Sequence, residues 1–229
     1  MSKSDNSKLL IFVGLLSITC AVALAGIFVA LKPRTEKVLA LEQKTKILGA
    51  VMDVSSMKGK EVDSIYAARI VALVLDKEGN ELKGEDPAKV DVAKEYKSGN
   101  PSKFPLYKLI SDVDPTKFES VILPLYGNGL WDNIWGFVSV GGDFNTITGA
   151  VFDHKAETPG LGAKITEPYV QARFKGKKIF KADGSFKGVK MQKGEGKNYD
   201  DQPHQVDGMS GASMTCLLYT SPSPRDKRQ

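Results

Sequence analysis

FESVILPLYGNGLWDNIWGFVSVGGDFNTITGAVFD, residues 118–153, carries the plan of the fold. Phe118 to Leu125, Ile134 to Val140 and Thr146 to Asp153 are runs rich in β-branched and aromatic residues. Gly127-Asn128-Gly129 and Gly141-Gly142-Asp143 separate them. Glycine and short polar residues between such runs signal turns, so the stretch predicts an antiparallel meander. Towards the N-terminus, Phe104 to Ile110 and Ile65 to Leu75 predict two more strands, the latter followed by a turn over Asp76 to Asn80. Glu81 to Lys103 is polar and reads as a surface insertion with a short helix near Ala88 to Tyr96. Towards the C-terminus, Glu167 to Phe174 opens with an acid and a proline, as helices do. Phe180 and Phe186 to Met191 predict further strands. The predicted class is α+β, a twisted antiparallel sheet with flanking helices packed to one side.

The ends differ from this middle. Leu9 to Leu31 is 23 residues without a charge. At about 1.5 Å per residue it spans a hydrocarbon core of roughly 30 Å. A cleaved signal peptide would have a shorter apolar core, and here the apolar residues run on past Ala23-Leu24-Ala25, so the reading is an uncleaved single-pass anchor. Thr35 to Val51 has the apolar spacing of an amphipathic helix, with Pro33 expected to kink or restart it. The C-terminal string Cys216 to Asp226 reads as the translation of a transposase-type sequencing-library adapter, where the alternative is a Ser/Pro-rich tail. The expected organisation is therefore a flank over 1–8, an anchor over 9–31 and a helical connector over 32–64. An extramembrane domain over 65–215, truncated at its C-terminus, and an artefactual segment over 216–229 complete it.

Composition limits the function classes. The chain has 229 residues and 32 Lys+Arg against 27 Asp+Glu, a formal charge of +5. From Lys32 to Thr215 the count is 27 basic against 25 acidic, so a nucleic-acid partner loses its main support. Two cysteines, Cys20 and Cys216, and two histidines, His154 and His204, argue against a disulfide scaffold or a structural metal site.

Three segments carry candidate chemistry. Tyr126 to Gly136, YGNGLWDNIWG, sets glycines beside the chain's two tryptophans; it fits a cofactor wall or a hairpin with core aromatics. His154 to Ile165, HKAETPGLGAKI, contains a Pro-Gly turn and a further glycine. Such a loop exposes backbone N–H groups to an anion or a heterocycle edge, or is an ordinary turn. Gln205 to Thr215, QVDGMSGASMT, supplies small residues and the hydroxyls of Ser210, Ser213 and Thr215, as at a phosphate-binding helix start. A hydrolase pairing Ser210 or Ser213 with His204 is a rival reading.

In this order behind an anchor, YGNGLW, HKAETPGLG and DGMSGAS resemble the covalent-FMN-binding domain of the C subunit of the sodium-translocating NADH:quinone oxidoreductases. The likeness runs from the anchor to Thr215. The G subunit of the related Rnf electron-transport complex shares the second and third motifs. The resemblance implies that a flavin transferase moves FMN from FAD onto the last hydroxyl of the third motif, here Ser213, as a phosphoester; Thr215 is a distant second. It implies a recognition sequence of Asp207, Gly208, Ser210, Gly211 and Ala212. It implies flavin contacts at Glu157, Thr158, Leu161 and Gly162, with Tyr126 and Trp131 as further candidates. It also implies electron relay coupled to Na⁺ translocation, the other subunits of the pump as partners, and no catalytic or metal site in this chain alone. The place implied is the periplasmic face of a bacterial inner membrane, with the anchor in the lipid bilayer. The rival class is a membrane-anchored assembly module without cofactor.

Overall fold

A computed structural model describes residues 3–129 and 131–212. Ser213, Thr215 and the segment 216–229 lie outside the described residues. The chain divides into two compact units, residues 1–43 and 44–229.

The first unit is helical throughout its described residues. It belongs to α1 (Lys3–Gly49), which is continuous and contains Pro33. No restart occurs at the proline, although its ring removes one backbone donor. The helix is long and apolar enough to cross a membrane, and Leu10, Ile18, Leu24 and Phe28 are all exposed along it. Thr19 Oγ1 donates to the Leu15 carbonyl at 2.8 Å, so the hydroxyl is satisfied within the helix.

The second unit begins with the last turn of α1 and continues through α2 (Gly59–Arg69) into five strands. These are β1 (Ile70–Leu75), β2 (Phe104–Ile110), β3 (Phe118–Asn128), β4 (Asn133–Gly141) and β5 (Ile147–His154). They form one antiparallel sheet in the order β1-β2-β3-β4-β5. Ile65 to Arg69, expected in the first strand, instead closes α2. The Lys58 N–H donates to Glu61 Oε2 at 2.9 Å and caps the start of that helix, and Ala67 and Ala68 favour it. The expected turn at Gly127-Asn128-Gly129 falls later: β3 runs to Asn128, and Gly129 N donates to Asp132 O at 2.7 Å. The insertion carries a 3₁₀ turn over Pro87–Lys89 and α3 (Val92–Ser98), capped by Asp86 and Asp91.

Both faces of the sheet are covered, not one. Trp135, Val151 and Asp153 share one face by register, and the end of α1 packs there. A Cβ at Gly149 would lie 2.3 Å from the Ala50 carbonyl oxygen, so only glycine admits that approach. Lys46 pairs with Asp153 and sits 5.9 Å from the Trp135 ring centroid. Val138, Ala150 and Phe152 look the other way, into the main core. There they meet Ile165, Val170 and Phe174 from a 3₁₀ turn over Gly162–Thr166 and from α4 (Pro168–Ala172) and its exit. The same core takes Met191, Val206, Met209 and Ala212 from a parallel pair of two-residue strands, β6 (Lys190–Met191) and β7 (Gln205–Val206), and the turn after it. The third sequence motif thus begins in the main core.

Candidate functional site

The second motif leaves the end of β5 as a turn. Leu161 N and Ala163 N both donate to Thr158 O, at 3.1 and 3.2 Å, which folds Pro159-Gly160-Leu161 outward. Gly160 has φ +75°, and a Cβ there would meet nothing within 4 Å, so the tip faces open space. Among the described residues the N–H groups of Thr158, Gly160 and Gly162 meet no acceptor, and Gly162 is buried. Buried backbone donors are ordinarily paired, so this loop has hydrogen-bonding capacity for a ligand.

Glu157 fixes the loop to the first motif. It is only 4% exposed, and its carboxylate accepts from Trp131 N at 3.1 Å. A Cβ at Gly129 would lie 2.3 Å from Glu157 Oε1, so the glycine makes room for that carboxylate. The Glu157 N–H donates to His154 Nδ1 at 3.2 Å. Trp131 exposes its ring, at 70%. Tyr126 is engaged elsewhere: its ring centroid lies 5.5 Å from that of Tyr96, and Lys97 Nζ sits over it at 5.7 Å.

Every described position of the third motif has a structural reason. The Asp207 carboxylate accepts from Gly196 N at 2.7 Å and Lys197 N at 3.2 Å. Gly208 passes so close to its neighbours that a Cβ would lie 2.0 Å from Gln192 O and 2.3 Å from Gly194 O. Met209 and Ala212 are buried anchors. Ser210 is exposed, and its N–H donates to Glu195 Oε2 at 3.0 Å. Gly211 has φ +74°, a conformation that favours glycine, and a Cβ there would lie 2.3 Å from Leu161 Cδ2. The second and third motifs therefore touch, through Leu161 and Gly211. Ser210 and Gly211 form a turn, with Ala212 N donating to Met209 O at 3.2 Å, and the part of the expected helix start from Ser213 onward lies outside the described residues.

Two residues that the motifs do not mark hold this turn. Arg173 donates from Nη1 to the carbonyls of Asp207, at 3.3 Å, and Gly208, and from Nη2 to Glu195 Oε1 at 3.1 Å. Glu195 in turn holds Ser210 N, with Lys164 Nζ 3.7 Å away. The Ser210 N–H, and then Arg173, keep its carboxyl below the usual range. Only the Gly-Glu-Gly pattern at 194–196 signals a turn in advance. Among the described residues His204 makes no hydrogen bond to Ser210. Its Nδ1 faces the carbonyls of Lys178, at 2.8 Å, and Gly188, at 3.2 Å, so that nitrogen carries the hydrogen and serves the backbone. Nε2 is left as the basic nitrogen, but no Ser–His pair is seen at Ser210, and Ser213 lies outside the described residues.

Comparison with known proteins agrees with this geometry. A family profile described as FMN-binding domain matches residues 129–220. The C subunit of the Na(+)-translocating NADH-quinone reductase of Pasteurella multocida is 33% identical over 232 residues, covering 93% of this chain and 86% of that protein. The protein of the same name from Neisseria meningitidis serogroup B is 35% identical over 233 residues, with the same coverage of 93% and 86%. The crystal structure of the corresponding subunit from Parabacteroides distasonis superposes with a TM-score of 0.70 at 34% identity, covering 83% of this chain and 89% of that one.

Proposed function

The chain belongs to the C-subunit family of the Na(+)-translocating NADH-quinone reductases, and from that premise we propose that it carries an FMN joined covalently to Ser213. The observation that carries this reading is the Leu161–Gly211 contact. It sets the loop with open N–H groups against the turn that leads, two residues on, to the Ser213 hydroxyl. The residues fit the group. Gly160 leaves the loop tip free of side chains, Gly211 admits the Leu161 side chain against the third-motif turn, and Thr158, Gly160 and Gly162 offer donors to the carbonyl edge of a flavin or to a phosphate.

Each residue then has a task. Glu157 holds the loop and the Trp131 backbone in place. Thr158, Leu161 and Gly162 would bind and orient the ring, with exposed Trp131 a further candidate contact. Asp207, Gly208, Ser210, Gly211 and Ala212 shape the turn that presents Ser213. Attachment would require attack of the Ser213 hydroxyl oxygen on the FMN-side phosphorus of FAD. A new O–P bond would replace the pyrophosphate bond, with AMP as the leaving group and the hydroxyl proton passing to the transferase or solvent. When bound, the flavin supplies electron relay between other subunits of the pump, coupled there to Na⁺ translocation. A tether keeps it at high local concentration, so tight non-covalent binding is not needed. The domain stands on the periplasmic face, with Leu9 to Leu31 as its anchor in the inner membrane.

The test is co-expression of the chain with a flavin transferase, followed by in-gel flavin fluorescence after denaturation. A fluorescent band that is lost in Ser213→Ala is expected. Signal retained in that variant moves the attachment site, and no signal in either favours a cofactor-free assembly module.

A further inference from the structure

The charges that balance over the whole chain do not balance locally. From Arg173 to Lys197 there are nine basic residues against two acidic ones, Asp183 and Glu195, a net of +7. The fold presents the middle of this segment as a hairpin. Lys181 N donates to Ser185 O at 2.9 Å and Gly184 N to Lys181 O at 3.0 Å, which closes the tip. Phe180 and Phe186 bridge the two arms, with ring centroids 5.9 Å apart in an edge-on arrangement. Neither ring is sheltered: Phe186 is 74% exposed and Phe180 37%. Lys175, Lys178, Lys181, Lys187, Lys190 and Lys193 are exposed along the same segment, and among the described residues none of their ammonium groups meets a carboxylate. Asp183, the one acid at the tip, caps Ser185 N at 2.8 Å.

The hairpin is held firmly at its base. His204 Nδ1–H donates to Lys178 O and Gly188 O, one carbonyl on each arm. Asn145 Oδ1 accepts from Ile179 N at 3.1 Å and from Phe180 N at 2.8 Å. Beyond their contact with each other, the two exposed rings bury little apolar surface, and the segment's unpaired lysines add no ion pair to the fold. Their chemistry suits a surface that is apolar within and anionic at its rim.

We propose that this hairpin docks on an anionic lipid bilayer, with Phe180 and Phe186 entering the headgroup–acyl boundary and the lysines facing lipid phosphates. Only the reading of Leu9 to Leu31 as a membrane span is required; the flavin is not. That span keeps a bilayer always near. Only residues 32–43 separate that span from the second unit, so the covalent tether is short, and a weak contact is populated at such an effective concentration.

The experiment uses the full chain in nanodiscs. The variant carries Ala182→Cys at the tip with a fluorescent label, and Cys20→Ser and Cys216→Ser to make labelling specific. Discs contain a headgroup-nitroxide lipid in phosphatidylcholine alone, or in equal parts phosphatidylcholine and phosphatidylglycerol. Quenching of the tip label in the anionic discs, reduced by added salt, is expected. Each lysine near such a surface contributes roughly fivefold, so the triple change Lys178→Gln, Lys181→Gln and Lys187→Gln should lower the docked-to-free ratio on the order of a hundredfold. Phe186→Ser should lower it with the charges intact, and circular dichroism should be unchanged in both variants. An unquenched label, equal quenching in both disc types, or a triple variant that behaves like its parent overturns the proposal. Cross-linking of the tip to another subunit in the intact complex, with no lipid contact, overturns it in favour of a protein partner. A chain that does not enter discs at all overturns the span and the docking together. None of these outcomes bears on flavin loading, which is read separately.

Discussion

Gly208→Ala should unfasten the flavin-attachment turn while leaving the rest of the sheet domain folded. The added methyl would lie 2.0 Å from Gln192 O and 2.3 Å from Gly194 O, both backbone atoms that cannot rotate away. Ordinary carbon–oxygen contact is above about 3 Å, so one chain segment must move by about 1 Å or more. Gln192 N donates to Val206 O at 3.0 Å, and Gly196 N and Lys197 N are held by Asp207, so movement strains these three bonds first. Losing a neutral bond costs about 0.5–1.5 kcal/mol and a charge-assisted one about 1.5–3 kcal/mol. The segment is partly solvated, so a total of about 2–4 kcal/mol is the expected cost, enough to open the turn without unfolding a domain of about 5–15 kcal/mol stability. Hydrogen exchange of the detergent-solubilised full chain is the assay. Amides at 192–197 and 206–212 should exchange on the order of a hundredfold faster, while those of β3 and β4 keep their protection. Flavin loading by a co-expressed transferase should fall in parallel. Unchanged exchange at both segments would refute the idea that close backbone approach, and not a contact with another protein, requires glycine here.

Other expected outcomes follow from the same geometry. Arg173→Met strands the Asp207 and Gly208 carbonyls and Glu195, and should lower stability by about 2–4 kcal/mol in chemical denaturation. Glu195 has its folded-state pKa depressed, chiefly by the Ser210 N–H, so its contribution is full above the ordinary carboxyl range and is lost as pH falls through the depressed value. The protection factor of the Ser210 amide, corrected for intrinsic pH dependence, should accordingly stay flat from neutral pH down to the ordinary carboxyl range and fall only below it, and Glu195→Gln should abolish that acid step. Asp143, lowered to about 2 by Thr146 Oγ1 and then the Thr146 and Asn145 N–H groups, should keep its turn closed until the pH approaches that value, as read by side-chain NMR titration. Lys46→Met leaves Asp153 without its cation on a largely covered face and should cost about 1–3 kcal/mol, measured by thermal unfolding of the solubilised chain.

The sheet was legible because its cause is local. Phe104 to Ile110 is a strand over the expected residues, and the three runs of the meander become β3, β4 and β5 with ends shifted by a few residues. Ile65 to Arg69 misled because Ile65, Tyr66 and Ile70 suggest a strand, whereas the Lys58–Glu61 cap and two alanines start a helix that ends only at Arg69. Helices on both faces could not be read, since no single segment shows that Gly149 lies against Ala50. The site divides in the same way. Glu157, Leu161 and Gly211 stand out in glycine-rich motifs, and they do meet. Arg173 and Glu195 belong to no motif, because what they do depends on main-chain atoms 35 and 15 residues distant in sequence. The local charge of the 173–197 segment was in the sequence throughout, hidden by the near-neutral total.

Peptide mass spectrometry of the chain, purified after co-expression with a flavin transferase, reads the covalent bond itself. The peptide containing Asp207 to Ser213 is expected to gain the mass of FMN less water, with fragmentation placing it on Ser213. The same peptide unmodified under these conditions, or FMN found only in non-covalent form or on another residue, would contradict attachment at Ser213.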